Sequence, residues 1–381
     1  MKNILIAIRS IFKKGRHNVM KIVSLGIGLA VGLVLIAKVY FEQSYDDFYP
    51  DRDRVYQVWA KYQQNGGELK DYPQTSGGIA PTMQQQIPEI ETVTRYTSFG
   101  DWTFTMTDTK MKYSGRCIIA DSCFFDILPR PMLIGNAKEV LSTPMYVLIS
   151  SRIAKNIGGD VIGKNFTVDS SPGRTMTIGG VFEEVPENSH SRYDVIVSMA
   201  SAGRFMWEGS PTNMLGNDRY ISYVKLHKGV NPLALEEQVH TFVNSYFPPE
   251  EQQKTGFNIG FSFHELDGLH KELPQVKRMT WILSLLAFAL IFTAVMNYIL
   301  IVISSIVNRS KEVAVHKCYG ASENNIHGMM FGEALVHIVL SLILALLLIL
   351  AFRGTVEELL ATSLDSLLLS NGSLVLLGIC I

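Results

Sequence analysis

Residues 297–336 read NYILIVISSIVNRSKEVAVHKCYGASENNIHGMMFGEALV. The stretch leaves one apolar run, crosses a short basic segment, turns at Gly320-Ala321-Ser322 and enters a second apolar run. A charged side chain at a bilayer centre costs roughly 3 kcal/mol, so Arg309, Lys311, Glu312 and Lys317 must lie outside the hydrocarbon that their neighbours occupy. Residues 307–325 therefore read as a cytoplasmic loop between two membrane spans, carrying a short helix across the membrane face. Gly320 suits the left-handed residue just past a helix end, and Ser322 suits the N-cap of the next helix.

Three stretches of the chain carry almost no charge: Ile22 to Phe41, Met279 to Ile306 and His327 to Phe352. Each reaches the roughly 20 residues needed to cross about 30 Å of hydrocarbon. Six basic residues, Lys2, Arg9, Lys13, Lys14, Arg16 and Lys21, precede the first span and place the N-terminus in the cytoplasm. Within residues 1–21, Ile4, Leu5, Ile8, Ile11 and Phe12 recur at helical spacing against Lys2, Arg9 and Lys13, as in a helix lying in the membrane interface. A cleaved signal peptide is the competing reading. The apolar run is too long for one, and Tyr40-Phe41-Glu42-Gln43 offers no small-residue cleavage site, so the run is expected to stay as an anchor. Residues 42–277 then lie outside, 353–363 form an outer loop, and 364–381, broken by Ser370-Asn371-Gly372-Ser373, make a partial fourth helix. Trp281 and Tyr40 sit near outer helix ends, where amphipathic rings prefer to be.

A net charge of −1 gives no support to a nucleic-acid partner, and four cysteines without regular spacing give neither a zinc site nor a disulfide framework. The outer region mixes both periodicities. Asp51 to Tyr62 reads as strand, Ile79 to Gln86 as helix and Thr92 to Phe99 as strand. The order recurs with strand 219–227, a helix opened by Asn231-Pro232 and strand 256–265. That second helix buries Leu235, Val239, Phe242, Val243 and Tyr246. Two βαβ units thus flank an insertion whose segments 102–107, 111–119, 164–168, 174–182 and 194–197 are strand-like, as in a split ferredoxin-like layer.

The ordered string Arg309-x-Lys311-Glu312-Val313-Ala314-Val315-x-Lys317-x-x-Gly320-Ala321-Ser322, followed by Glu333-Ala334, resembles the signature of FtsX/MacB-type ABC transporter permeases. Further segments are similar to the MacB periplasmic core: Glu42 to Phe48 with Asp53 to Tyr56, Asp121 to Ile127, Pro131 to Asn136, Ile162 to Lys164, and Gly180 to His190. The resemblance covers nearly the whole chain. It implies an α+β membrane protein, with a porter-like layer (42–100 and 198–277) and an inserted strand-rich subdomain (101–197). It also implies a coupling helix, Arg309, Lys311, Glu312, Val313, Val315, Lys317, Gly320, Ala321 and Ser322, docking on a separate cytoplasmic ATPase.

By the same resemblance the chain is a non-catalytic permease of the bacterial inner membrane. It binds no cofactor directly, ATP and magnesium being handled by the partner ATPase. It works as a homodimer or beside a related permease, in contact with lipid and with a periplasmic adaptor, in efflux or lipoprotein release. A transmembrane sensor is the alternative, but the short segment between the second and third spans leaves no room for a cytoplasmic output domain.

Several sequence features compete for attention as sites. Gly158 to Asn165 nearly matches a phosphate loop, yet Asn165 stands where the magnesium-binding hydroxyl belongs and a strand follows, so a plain turn is expected. His264-Glu265 with His270 misses the zinc-protease spacing. Cys117 and Cys123 fall on the oxidising side, which leaves a local disulfide open. Ser24, Gly28 and Gly32 line one face of the first span and permit close packing on another helix, which the family's dimeric habit favours. Glu333 and His337, one turn apart in the third span, are intramembrane polar candidates, and Asn297 is expected to hydrogen-bond Glu333 from the second span.

Overall fold

A first helix, α1 (Asn18–Gln43), feeds directly into a large mixed domain. The computed structural model describes residues 18–216, 218–308, 315, 318 and 323–369. It divides into Tyr45–His270 and a helical unit made of Met1–Ser44 with Lys271–Ile381. The expected interfacial helix before residue 18, most of the coupling segment and the end of the partial fourth helix lie outside the described residues.

In the domain, β1 (Val55–Gln64), α2 (Ile79–Gln86) and β3 (Ile90–Met106) form one βαβ unit, with the short β2 (Lys70–Tyr72) hairpinned onto β1. β10 (Ile221–Leu226), α4 (Glu236–Tyr246) and β11 (Phe257–Glu265) form the other. The strands interleave as β11-β1-β10-β3, each antiparallel to its neighbours. This is the split ferredoxin-like layer that the sequence pattern implies. Ile79, Met83, Val239, Phe242 and Val243 from the helices meet Val58, Val93 and Val224 from the sheet in one core. Asn231 caps the approach to α4 by accepting from the Leu233 amide, and a 3-10 turn over Pro232–Leu235 precedes the helix proper.

Between these units lie β4 (Lys112–Ala120), β5 (Met132–Ile134), β6 (Tyr146–Ser150), α3 (Ser151–Ile157), β7 (Asn165–Val168), β8 (Ser171–Phe182) and β9 (Val195–Ser198). The pairings β3-β4-β9-β6-β8-β7 return to β3 and close a six-stranded ring. Alternation sorts its side chains. Cys117, Ile119, Val147, Ile149, Val195 and Val197 fill the interior with Phe104, Phe166 and Ile178. Ile118, Leu148 and Ile196 point the other way, into a second core with Phe124, Leu141 and Phe182. The insertion is therefore not a separate body. The boundary expected after Gly100 falls inside β3, which pairs with β10 over its first half and β4 over its second; residues 102–107 are not a strand of their own. Gly100, at φ 72°, sits at the register shift between the halves, where a left-handed residue lets the strand bend.

The helical unit adds α5 (Pro274–Asn308), α6 (Glu323–Ala351), α7 (Arg353–Leu360) and α8 (Leu364–Leu369). Among the described residues, three helices, α1, α5 and α6, are long and apolar enough to cross a membrane. At about 1.5 Å per residue, the 35 residues of α5 run well past the hydrocarbon thickness. The loop expected over 353–363 is largely helical instead: Arg353 holds Glu357 at 2.9 Å and Asp365 at 3.0 Å, bracing α7 against the start of α8.

Candidate functional site

α1 is the element on which the site is built. One face packs on α5. A Cβ placed on Gly28 would overlap Ala294, and one on Gly32 would overlap Ile291, so the small residues are what let the two backbones approach. The expected small-residue face thus meets a helix of its own chain. The opposite side packs on α6, where a Cβ on Gly26 would come within 2.9 Å of Leu344 Cδ2 and Ala30 joins Ala345 and Ile349 in a small core.

Along the α6 side runs a stripe of polar residues at helical spacing, Glu333, His337 and Ser341, all buried. Ser341 Oγ donates to the Ile22 carbonyl at 3.1 Å, which fixes the register of α6 on the first turns of α1. Tyr298 of α5 reaches the same stripe, its hydroxyl 3.4 Å from His337 Nδ1. The hydrogen bond expected from Asn297 to Glu333 is corrected here: Asn297 is exposed. One residue along a helix turns the side chain by about 100°, and it is Tyr298 that faces inward. Of the expected coupling residues only Val315 is described, and it is exposed, as is Cys318 within the same segment.

At its other end α1 carries Lys38, whose ammonium pairs with Glu42 at 2.6 Å, donates to Thr362 Oγ1 at 2.8 Å and lies 5.1 Å from the Phe41 ring centroid. These groups are buried, so the pair is held by its neighbours rather than by solvent. Three residues beyond the end of α1 the chain reaches Asp46, fully buried in the domain and left-handed at φ 59°. Aspartate is among the few residues that tolerate that conformation. Its backbone amide donates to the Asn188 carbonyl at 2.9 Å. Its carboxylate accepts from Ser189 Oγ at 2.9 Å, from the His190 amide at 3.3 Å and from His190 Nδ1 at 2.7 Å.

The far side of that imidazole meets Tyr223 of β10, with Nε2 and the hydroxyl 2.5 Å apart. Burial pushes the Tyr223 phenol well above its ordinary range, with the Asp46 carboxylate adding to it, so the hydroxyl stays protonated. On the near side Nδ1 donates to the Asp46 carboxylate, which can only accept. Ser191 Oγ donates to Tyr96 OH at 2.7 Å and ties β3 into the same cluster. Each serine hydroxyl here is already engaged, so the cluster holds chain segments together and presents no free nucleophile. Asp46, Ser189 and His190 fall within the segments similar to the MacB core, but nothing in the sequence assigns them a role, since Asp46 lies more than a hundred positions from Ser189 and His190.

The other candidates resolve simply. Gly158, Gly159 and Gly163 all have positive φ and form a turn from α3 into β7. His264 stacks on Trp59 and His270 on Tyr45, and no group of metal-ligating side chains occurs among the described residues. Cys117 and Cys123 are separate thiols, the first buried in the ring interior and the second donating to the Val93 carbonyl.

Family models match twice: a MacB-like periplasmic core domain over residues 20–242 and an FtsX-like permease C-terminal domain over residues 284–380. The chain belongs to the FtsX/MacB-type ABC transporter permeases. Permeases of this family sit in the inner membrane with a periplasmic domain, work with a cytoplasmic ABC ATPase and are typically non-catalytic. Among solved structures, a domain assigned to a permease protein of Porphyromonas gingivalis is 33% identical with a TM-score of 0.52, covering 57% of this chain and 91% of that one. The periplasmic region of MacB from Actinobacillus actinomycetemcomitans is 15% identical with a TM-score of 0.38, covering 54% of this chain and 87% of that one. No curated protein matches the chain.

Proposed function

We propose that this permease transmits the ATP cycle of a separate cytoplasmic ATPase to its outer domain, with α1 as the transmitting rod. The observation that carries this reading is that α1 is gripped along its length and anchored just beyond it. α5 and α6 pack on opposite sides of it, and Asp46 is locked into the domain core three residues after Gln43. Movement of the loop that joins α5 to α6 reaches α1 through both partners. The basic N-terminal segment and the basic loop at Arg309, Lys311 and Lys317 support a cytoplasmic side for both. Close packing at Gly26, Gly28 and Gly32 fills the space between the three helices, which favours mechanical transmission over a hydrophilic pore. The work done outside is export of a cargo or release of a lipoprotein, by two permeases acting as a pair.

Co-purification tests the coupling role. Replacing Lys311, Glu312 and Gly320 together should abolish association with the ATPase while leaving membrane insertion intact. Wild-type recovery of the ATPase by that variant would contradict the proposal.

A further inference from the structure

The domain carries a cleft of about 660 Å³ at the β1–β2 hairpin, lined by none of the groups that anchor α1. That volume lies within the range of small-molecule sites. Its wall is aromatic. The Tyr62 ring has Tyr72 and Phe257 each 5.6 Å away between centroids, and Tyr72 is 44% exposed. Its floor is a carboxylate held from two sides: Asp218 Oδ2 accepts from Tyr62 OH and Oδ1 from Ser76 Oγ, both at 2.5 Å. Burial and the Asp218 carboxylate push the Tyr62 phenol far above its ordinary range, so the hydroxyl remains a donor and Asp218 remains oriented. A carboxylate offers about four acceptor positions, so two hydroxyls leave others for a ligand.

Gln64 and Gln74, with Glu68 and Lys70, also line the cleft and supply both donors and acceptors. We infer that this cleft binds a segment of saccharide. A purely apolar ligand would strand the amides and carboxylates. An anion would face Asp218 and Glu68, and a cation would face Lys70. A neutral polyhydroxylated chain can lay its C–H faces on the rings and pair its hydroxyls with Asp218, Glu68 and the glutamines. The site stands independently of the coupling reading, since none of its residues belongs to the helices or to the Asp46 cluster.

The test is calorimetric titration of the full chain in lipid nanodiscs, free of sugar-headed detergent, with maltotetraose, chitotetraose and mannotetraose. At least one should bind, and Tyr72→Ala should weaken it by about tenfold, the equivalent of one lost aromatic contact. Asp218→Asn should weaken it by a similar factor through loss of an ionised acceptor. Lys138→Ala, on an exposed helix elsewhere in the domain, should leave it unchanged. Circular dichroism checks that each variant folds. Failure of all three sugars to bind would overturn the inference. So would affinity that survives Tyr72→Ala, or a tetralysine peptide that binds more tightly than any sugar.

Discussion

The two ends of α1 are secured by different physics. Just past its outer end, Asp46 gathers a serine, a histidine and backbone groups into a water-excluded cluster in which each polar atom of the carboxylate has a donor. Near its inner end, the fixing contacts are mostly shape: Gly26, Gly28 and Gly32 admit neighbouring helices, and one hydroxyl bond from Ser341 sets the register. A soluble core can extract large energies from a saturated polar cluster because leaving it half-made is so costly. Inside a bilayer a single interhelical hydrogen bond is worth little, and close packing does the holding. The outer anchor should therefore be brittle and the inner one tolerant.

Asp46→Ala is the strongest test of that contrast. It strands His190 Nδ1 and the His190 amide in a largely buried site and leaves Ser189 Oγ only its Ser191 partners, and should destabilise the domain by about 3 kcal/mol, read as a fall in denaturant midpoint at constant slope. A loss below 1 kcal/mol would mean that the cluster is not an anchor. Gly28→Leu comes next. Its side chain overlaps Ala294 across the α1–α5 contact, and overpacking should cost about 1–3 kcal/mol, seen as a lower melting temperature of the full chain in nanodiscs while Asp46-dependent unfolding of the domain stays put. Ser341→Ala removes one intramembrane hydrogen bond and should cost only about 0.6 kcal/mol. Were it to rival Asp46→Ala, the inner end would be polar-locked after all.

The smallest effect concerns acid. Lys225 and then Arg54 hold the Asp51 carboxyl below its ordinary 3.8, by hydrogen bonds at the entrance to β1. A carboxyl depressed on folding contributes its stability fully above the unfolded value and loses it as pH falls through the folded one. The window is therefore below about pH 4. Asp51 is substantially exposed, so screening limits its share to well under 1 kcal/mol. Comparing wild type with Asp51→Asn between pH 5 and pH 2 should show curves that converge at the acid end.

Legibility in the sequence followed period and distance. α2 matches its expected span because three apolar residues recur at helical spacing before Pro88, and of the α4 stripe Val239, Phe242 and Val243 are buried while Tyr246 is half-buried against them. β9 falls on its expected segment, 194–197, whereas β6 is harder to read: both its faces are covered, so Val147, Leu148 and Ile149 are all apolar and no alternation survives. α7 was hidden because its stabilising pairs, Arg353 with Glu357 and Asp365, sit in a polar stretch that resembles a loop. The anchor at Asp46 depends on Ser189, His190 and Tyr223, which only the folded sheet assembles. Sequence spacing also missed which of Asn297 and Tyr298 faces α6, since one step along a helix decides it.

The central claim is that nucleotide turnover below the membrane moves the outer domain through α1. Spin labels at cysteines replacing Lys138 and Glu358, both exposed, in a chain whose native cysteines are serines, would report the distance between domain and helical unit by pulsed electron resonance. With the ATPase bound, adding ATP should shift the distribution, and the shift should vanish when Lys311, Glu312 and Gly320 are replaced. An unchanged distribution with ATP, or a shift indifferent to those replacements, would contradict the account.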